Sequence, residues 1–174
     1  MINISETVNS FPEYAKDIKL NYTKIINEQV LNNKQLYGII LISSLTTLSA
    51  ELKKASLIEV EEYLDDTYIE AVYGAYAIMS MNAIYYRFTH LATEYDYAAL
   101  PANLRMQYMT KHNLDKVDFE MLSLAVAVII GCGKCINAHE VVLRENNVSS
   151  LIIQTVARIA SIINAVGNIM KVIK

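Results

Sequence analysis

The feature that most constrains this chain is a helical hydrophobic pattern with almost no interruption. Its 174 residues include only 5 Gly and 2 Pro, too little punctuation for the turns of a many-stranded sheet. Apolar residues recur instead at three- and four-residue spacing, as in helices that bury one face. They make up 53% of the chain, against 19% charged residues. That surplus calls for extensive helix–helix burial, with an oligomer interface added. The expectation is an all-α fold, one domain over residues 1–174, long enough to bury a real core.

The pattern divides into segments. Pro12 suits the first turn of a helix running to about Ile25. Asn32 or Asn33 caps a second helix, marked by Leu36, Ile39, Ile40 and the Leu45/Leu48 pair. A more charged helix spans about Ala50 to Leu64, and Asp65-Asp66-Thr67 caps a long apolar one, about Tyr68 to Leu91. Residues 93–113, holding Pro101, Asn103 and Asn113, form the longest irregular connection, with a short helix near Arg105. Asp115 or Asp118 opens the next helix, to about Ile130, and Gly131 and Gly133 break it. A helix follows from about Cys135 to Glu145, and Ser149 or Ser150 caps the last, about Leu151 to Ile173. Ala-Ile-Met-Ser-Met at 77–81 faintly echoes Val-Ile-Ile-Gly-Cys at 128–132, as two similar helical halves would.

Composition also excludes partners. A net charge of −3 with no basic cluster argues against nucleic acid. The start, Met1 to Glu6, lacks the basic and apolar regions of a signal peptide. The longest uncharged runs, Gln35 to Ala50 and Ala71 to Tyr86, fall short of the roughly 20 residues of a membrane helix. The expectation is a cytoplasmic protein with no membrane partner. In that reducing setting a Cys-x-x-Cys pair is catalytic or metal-binding more often than a structural staple.

The chemistry concentrates in Gly131-Cys132-Gly133-Lys134-Cys135-Ile136-Asn137-Ala138-His139-Glu140. Both cysteines of the chain are here, three positions apart, with a histidine four residues after the second. Two thiols at this spacing can close a tight disulfide or share a redox cycle, and a histidine can move the proton such a cycle needs. On a helix, Cys132, Cys135 and His139 fall within an arc of about 60° and face one pocket, with Lys134 roughly opposite. The glycines put the pair at a helix start, where free amide groups and the dipole favour a thiolate. Glu120 precedes Cys132 by twelve positions. In one unbroken helix that is about 18 Å. If the glycines turn the chain into a helical hairpin, Glu120 and His139 stand at similar distances from the turn. Glu120 would then orient His139, and His139 would deprotonate a thiol directly or through one water.

Blander readings compete. The cysteines could be small buried hydrophobes. Cys132, Cys135, His139 and Glu120 could ligate a metal in a non-catalytic helical module, although structural zinc usually shows two separated ligand pairs. The paired tyrosines and Met79 and Met81 read as core and interface, His90 and His112 have no partner at a telling spacing, and Glu59 to Asp66 reads as a solvated acidic face.

Glutamate, eleven residues, Cys-x-x-Cys, three residues and histidine is the pattern of the alkyl hydroperoxidase D (AhpD) family, within a carboxymuconolactone decarboxylase-like superfamily. This chain resembles that family at Glu120, Cys132, Cys135 and His139. Asp-Phe-Glu at 118–120, Asn-Ala-His-Glu at 137–140, the stretch 12–21 and Met-Ser-Met-Asn-Ala-Ile-Tyr-Tyr-Arg at 79–87 are also family-like, so the resemblance spans almost the whole chain. It implies an all-α homotrimer, an antioxidant peroxidase reducing alkyl hydroperoxides, and a reductant of the peroxiredoxin AhpC. Electrons would come from dihydrolipoamide on a lipoylated 2-oxo acid dehydrogenase component, with no tightly bound cofactor and no metal. It also implies roles: Cys135 attacks the peroxide and becomes a sulfenic acid. Cys132, the more exposed thiol, donates a proton and then closes the Cys132–Cys135 disulfide. His139 relays protons and Glu120 orients it. The i, i+4 pairing of Cys135 with His139 agrees with this order.

Many family members carry a histidine where this chain has Lys134. A lysine keeps positive charge near the thiolates but shuttles protons poorly near neutral pH. The alternative that follows is a dithiol–disulfide exchange adaptor with little peroxidase activity. The superfamily's decarboxylases typically lack the paired cysteines, which argues against that activity.

Overall fold

The computed structural model describes residues 2–173, which form nine α-helices, two short 3-10 turns and no strand. The helices are α1 Ile4–Asn9, α2 Lys16–Asn27, α3 Asn33–Thr46, α4 Ala50–Val60, α5 Asp66–Leu91, α6 Tyr108–Lys111, α7 Lys116–Ile130, α8 Gly133–Glu145 and α9 Ser150–Val172. The all-α expectation holds. Side chains close the helix starts where the sequence offers them. Asn32 with Gln35 forms a capping box on α3, Asp65 caps α5, Asp115 caps α7 and Ser149 caps α9.

Four local expectations change. Helix α1 was not foreseen: Asn3 and Glu6 cap it, and Glu59 of α4 accepts the backbone N–H groups of Ile4 and Ser5. Pro12 opens a 3-10 turn, Glu13–Ala15, and α2 proper begins at Lys16. Helix α4 stops at Val60 rather than Leu64, and the turn after it stacks Tyr63 on Tyr37 of α3 with ring centroids 3.8 Å apart. The short helix of the long connection lies at Tyr108–Lys111, not at Arg105. Tyr108 docks there on Gly74 of α5, where a Cβ would collide with its ring. The 77–81 and 128–132 segments differ in structure: the first lies inside α5, the second spans the break between α7 and α8.

Helix α7 occupies the centre. Phe119 and every residue from Met121 to Ala127 are buried, so the helix needs cover on all sides. Helices α3, α5, α8 and α9 supply it. Its first turn is pinned at Asp118, which accepts hydrogen bonds from Gln35 Nε2 of α3 (2.8 Å) and from the Tyr68 hydroxyl of α5 (3.5 Å). Burial pushes the Asp118 carboxyl up from its ordinary value, against the pull of the Gln35 bond.

Helix α9 is long and apolar enough, by length and composition, to cross a membrane. A search for uncharged runs passes over it because Arg158 divides it, and Arg158 forms a bidentate pair with Glu28 after α2. Its buried residues Thr155, Val156, Ile159, Ala160, Ile163, Val166 and Gly167 make a helical stripe facing the core.

Gly131 ends α7 at φ 76°, ψ 38°, in the left-handed region, and the chain reverses into α8. A Cβ there would meet nothing within 4 Å, so a substitution is penalised by backbone strain alone. Gly131→Ala is expected to cost about 1–2 kcal/mol in denaturant unfolding. Gly131→Asn should lose less, because Asn tolerates this region better. Equal losses would contradict the assignment.

Candidate active site

Reversal at Gly131 lays α8 against α7. Glu120, on the second turn of α7, thereby reaches His139, on the second turn of α8. Glu120 Oε2 and His139 Nδ1 are 2.6 Å apart, with side chains only 13% and 9% exposed. The carboxylate holds the ring through Nδ1 and leaves Nε2 as the nitrogen free for proton transfer. Arg87 of α5 steadies the hairpin by donating from Nη1 to the Ile130 carbonyl (2.6 Å) at the last residue of α7.

Cys132 is the N-cap of α8, and its Sγ accepts the Cys135 N–H at 3.2 Å. The two cysteines are joined as a disulfide, with Cα atoms 5.3 Å apart. Cys135 and His139 line a cavity of about 340 Å³ together with Lys134, Ala138, Met79, Asn82, Tyr86, Met106 and Met109. The walls come from α5, α8 and the long connection, and they are overwhelmingly apolar.

Two expectations fail here. The family resemblance makes Cys132 the more exposed thiol, yet Cys132 is 0% exposed, while Cys135 is 6% exposed and lines the cavity. The cause is local. Cys132 follows the left-handed Gly131 with its own N–H bonded to the Ala127 carbonyl, so the cap is folded inward against the end of α7. The shared pocket of Cys132, Cys135 and His139 is accordingly a pocket of Cys135 and His139. Lys134, expected on the opposite face, also lines the cavity, with Nζ 5.4 Å from the centroid of the Tyr86 ring. Its long stem brings the ammonium round to that ring, where the π face attracts a cation.

Spacing alone did not single out the far wall. Met79, Asn82 and Tyr86 recur at three- and four-residue intervals on one face of α5, and the available signal was Asn82, a polar residue within an apolar run. Met106 and Met109 come from the connection, whose course no periodicity predicts; the Tyr86 hydroxyl bonds Met106 Sδ at 3.7 Å. His112 stacks on Phe119 (centroids 3.8 Å apart) and His90 borders a separate cavity beside Lys134. Among the described residues, no group of three or more His, Cys, Asp or Glu side chains is arranged to hold a metal ion.

Removing one partner of a buried polar pair leaves the other unsatisfied, so Glu120→Ala is expected to destabilise the disulfide form by about 1–3 kcal/mol in denaturant unfolding. Unchanged stability would show that the contact contributes nothing to the fold.

Comparison with known proteins gives the family. The carboxymuconolactone decarboxylase family model matches residues 95–174, a span that includes Glu120 and the whole cysteine segment. The chain is 43% identical over 166 residues to alkyl hydroperoxide reductase AhpD of Brucella anthropi, covering 95% of each chain. It is 42% identical over 168 residues to the AhpD of Acidobacterium capsulatum, covering 96% of this chain and 92% of the relative. The AhpD of Solibacter usitatus is 39% identical over 171 residues, covering 98% of this chain and 97% of its own. Identity at this level from end to end is inheritance of a whole fold rather than convergence on a short motif, and the chain belongs to the AhpD family.

Proposed function

We propose that this protein is an antioxidant thiol peroxidase that reduces alkyl hydroperoxides. The observation that carries the proposal is the position of Cys135: it borders an apolar cavity beside His139, whose ring is held by Glu120. In the reduced protein the Cys135 thiol passes its proton to the His139 relay. The start of α8 favours the resulting thiolate. That thiolate attacks the terminal oxygen of ROOH. The S–O bond forms, the O–O bond breaks, and the electron pair leaves on the alkoxide, which takes a proton from His139 to become ROH. Cys135 is now a sulfenic acid. The Cys132 thiol attacks its sulfur, water departs, and the disulfide closes. Cys132 needs no access to solvent for this step, because it resolves a neighbour within the same helix start.

The cycle closes when an external dithiol reduces the disulfide. Dihydrolipoamide on a lipoylated 2-oxo acid dehydrogenase component is the donor we assign, with the peroxiredoxin AhpC as an alternative recipient of the electrons. Such a cycle suits the cytoplasm, where the pair is returned to thiols. Lys134 keeps a positive charge at the cavity and takes an electrostatic role rather than a proton-shuttling one.

Stopped-flow mixing of the reduced protein with cumene hydroperoxide tests the chemistry. The wild type should turn over with dihydrolipoamide. Cys132→Ser should stop with one added oxygen on Cys135, located by mass spectrometry after thiol trapping, and Cys135→Ser should be inert. Absence of hydroperoxide consumption in the wild type would overturn the proposal. A disulfide that dihydrolipoamide reduces in a wild type that consumes no hydroperoxide would point to the exchange adaptor.

The homotrimer is part of the same proposal. Ile84, Phe88 and Leu91 are 50%, 49% and 67% exposed along one face of α5, an apolar stripe suited to contact with other copies of the chain. Light scattering should give three times the 19.6 kDa chain mass, falling to a single chain mass in Phe88→Glu. A monomeric wild type would refute the assembly.

A further inference from the structure

One polar residue in the wall of the cavity beside Cys135 has a buried side-chain oxygen without a protein partner. Asn82 is 5% exposed, and its Oδ1 has no hydrogen-bond partner among the described residues. Leaving a buried amide oxygen unpaired is costly, and such groups are rare enough to call for an explanation. Two other buried oxygens share this condition, on Ser43 and Ser123. Neither lines this cavity, and a serine hydroxyl can rotate to its own helix carbonyl four residues back. The Asn82 Oδ1 only accepts, so a helix carbonyl gives it no partner. Asn82 stands three residues after Met79 and four before Tyr86, the two α5 side chains that also line the cavity, so helical geometry aims all three to the same side.

Of the other polar groups of the cavity, His139 Nδ1 is held by Glu120 and the Tyr86 hydroxyl bonds Met106 Sδ, while His139 Nε2 belongs to the proton relay and the Lys134 ammonium lies over the Tyr86 ring. Asn82 thus lines a space walled by thioethers and an aromatic ring, with Cys135 at its edge. The molecule that fits has an apolar body and, at one end, oxygen atoms offering both a donor and an acceptor. An alkyl hydroperoxide has that form, and so does the alcohol it leaves. Either end of the Asn82 amide finds a partner on it.

We propose that Asn82 is a substrate-binding residue: its side-chain amide hydrogen-bonds the oxygen end of an apolar hydroperoxide, while Met79, Met106, Met109 and Tyr86 take up the alkyl or aryl group. The anchor turns the O–O bond toward Cys135, the sulfur that borders the same space. Among the described residues no protein group bonds the amide oxygen, so a ligand hydroxyl gains a bond at this amide that an apolar molecule without one does not, and the site discriminates accordingly. The inference rests on the thiol peroxidase proposal for its substrate, and on the cavity alone for its binding contact.

Asn82→Leu keeps the approximate volume and removes the polar atoms. Sulfenic acid formation with cumene hydroperoxide should slow on the order of tenfold, the equivalent of one hydrogen bond, with a melting temperature equal to or above that of the wild type. Asn82→Ser, which retains a hydroxyl, should recover part of the rate. Binding is read separately on the disulfide form by titrating cumyl alcohol. The Asn82 side-chain amide resonances should shift, and affinity should fall on the order of tenfold in Asn82→Leu. Should Asn82→Leu fail to fold, the amide shift in the unaltered protein and the Asn82→Ser rate decide the question. A wild-type protein that binds the alcohol through this amide but consumes no hydroperoxide would sink the peroxidase proposal and leave the anchor standing. A variant that matches the wild type in rate and affinity, with no amide shift, would sink the anchor and leave the peroxidase proposal standing.

Discussion

Everything else in this fold depends on covering α7. A helix buried at Phe119 and at every position from Met121 to Ala127 has no face to give to water, and its neighbours must close around it. Helices α3, α5, α8 and α9 do so. The polar residues of its first two turns are then obliged to find partners at the rim of that packing. Asp118 meets Gln35 and Tyr68, and Glu120 meets His139. The same burial that stabilises the bundle thus delivers a carboxylate to the one imidazole beside the cysteines.

The left-handed Gly131 converts that arrangement into a site. By reversing the chain directly after α7 it places a helix N-terminus, a disulfide and the His139 ring within two turns of one another. Its tightness also decides which sulfur meets the cavity. Cys132 is drawn in as the cap and loses all exposure, while Cys135, three residues on, lines the apolar space. The division of labour we propose has this geometry as its support: the sulfur that lines the cavity would meet a substrate, and the enclosed one would meet its neighbour.

Legibility in the sequence followed the range of the interactions involved. Elements held by local rules were readable: the caps Asp65, Asp115 and Ser149, the break at Gly131, and the long apolar α5. The pairing of Glu120 with His139 was readable too, because a hairpin turned by glycines makes positions equidistant from the turn meet. Helix α1 was not, since part of its support comes from Glu59, more than fifty residues away. Lys134 misled a helical wheel because a flexible four-carbon stem is not bound to the face of its Cα. Met106 and Met109 lie in a connection without period, and Asn82 looked like one polar residue in an apolar run.

The sequence by itself determined that the chain would be helical and where most helices begin and end, and it brought Glu120, Cys132, Cys135 and His139 forward as candidates, because periodicity, capping and motif spacing are properties of near neighbours. Tertiary structure alone decided what lines the wall opposite Cys135, and that the Asn82 oxygen has no partner among the described residues. Those outcomes depend on the approach of α5 and the long connection to α8, contacts between segments far apart in the chain. No local pattern encodes such a contact, because it is set by how the helices share the burial of one central neighbour.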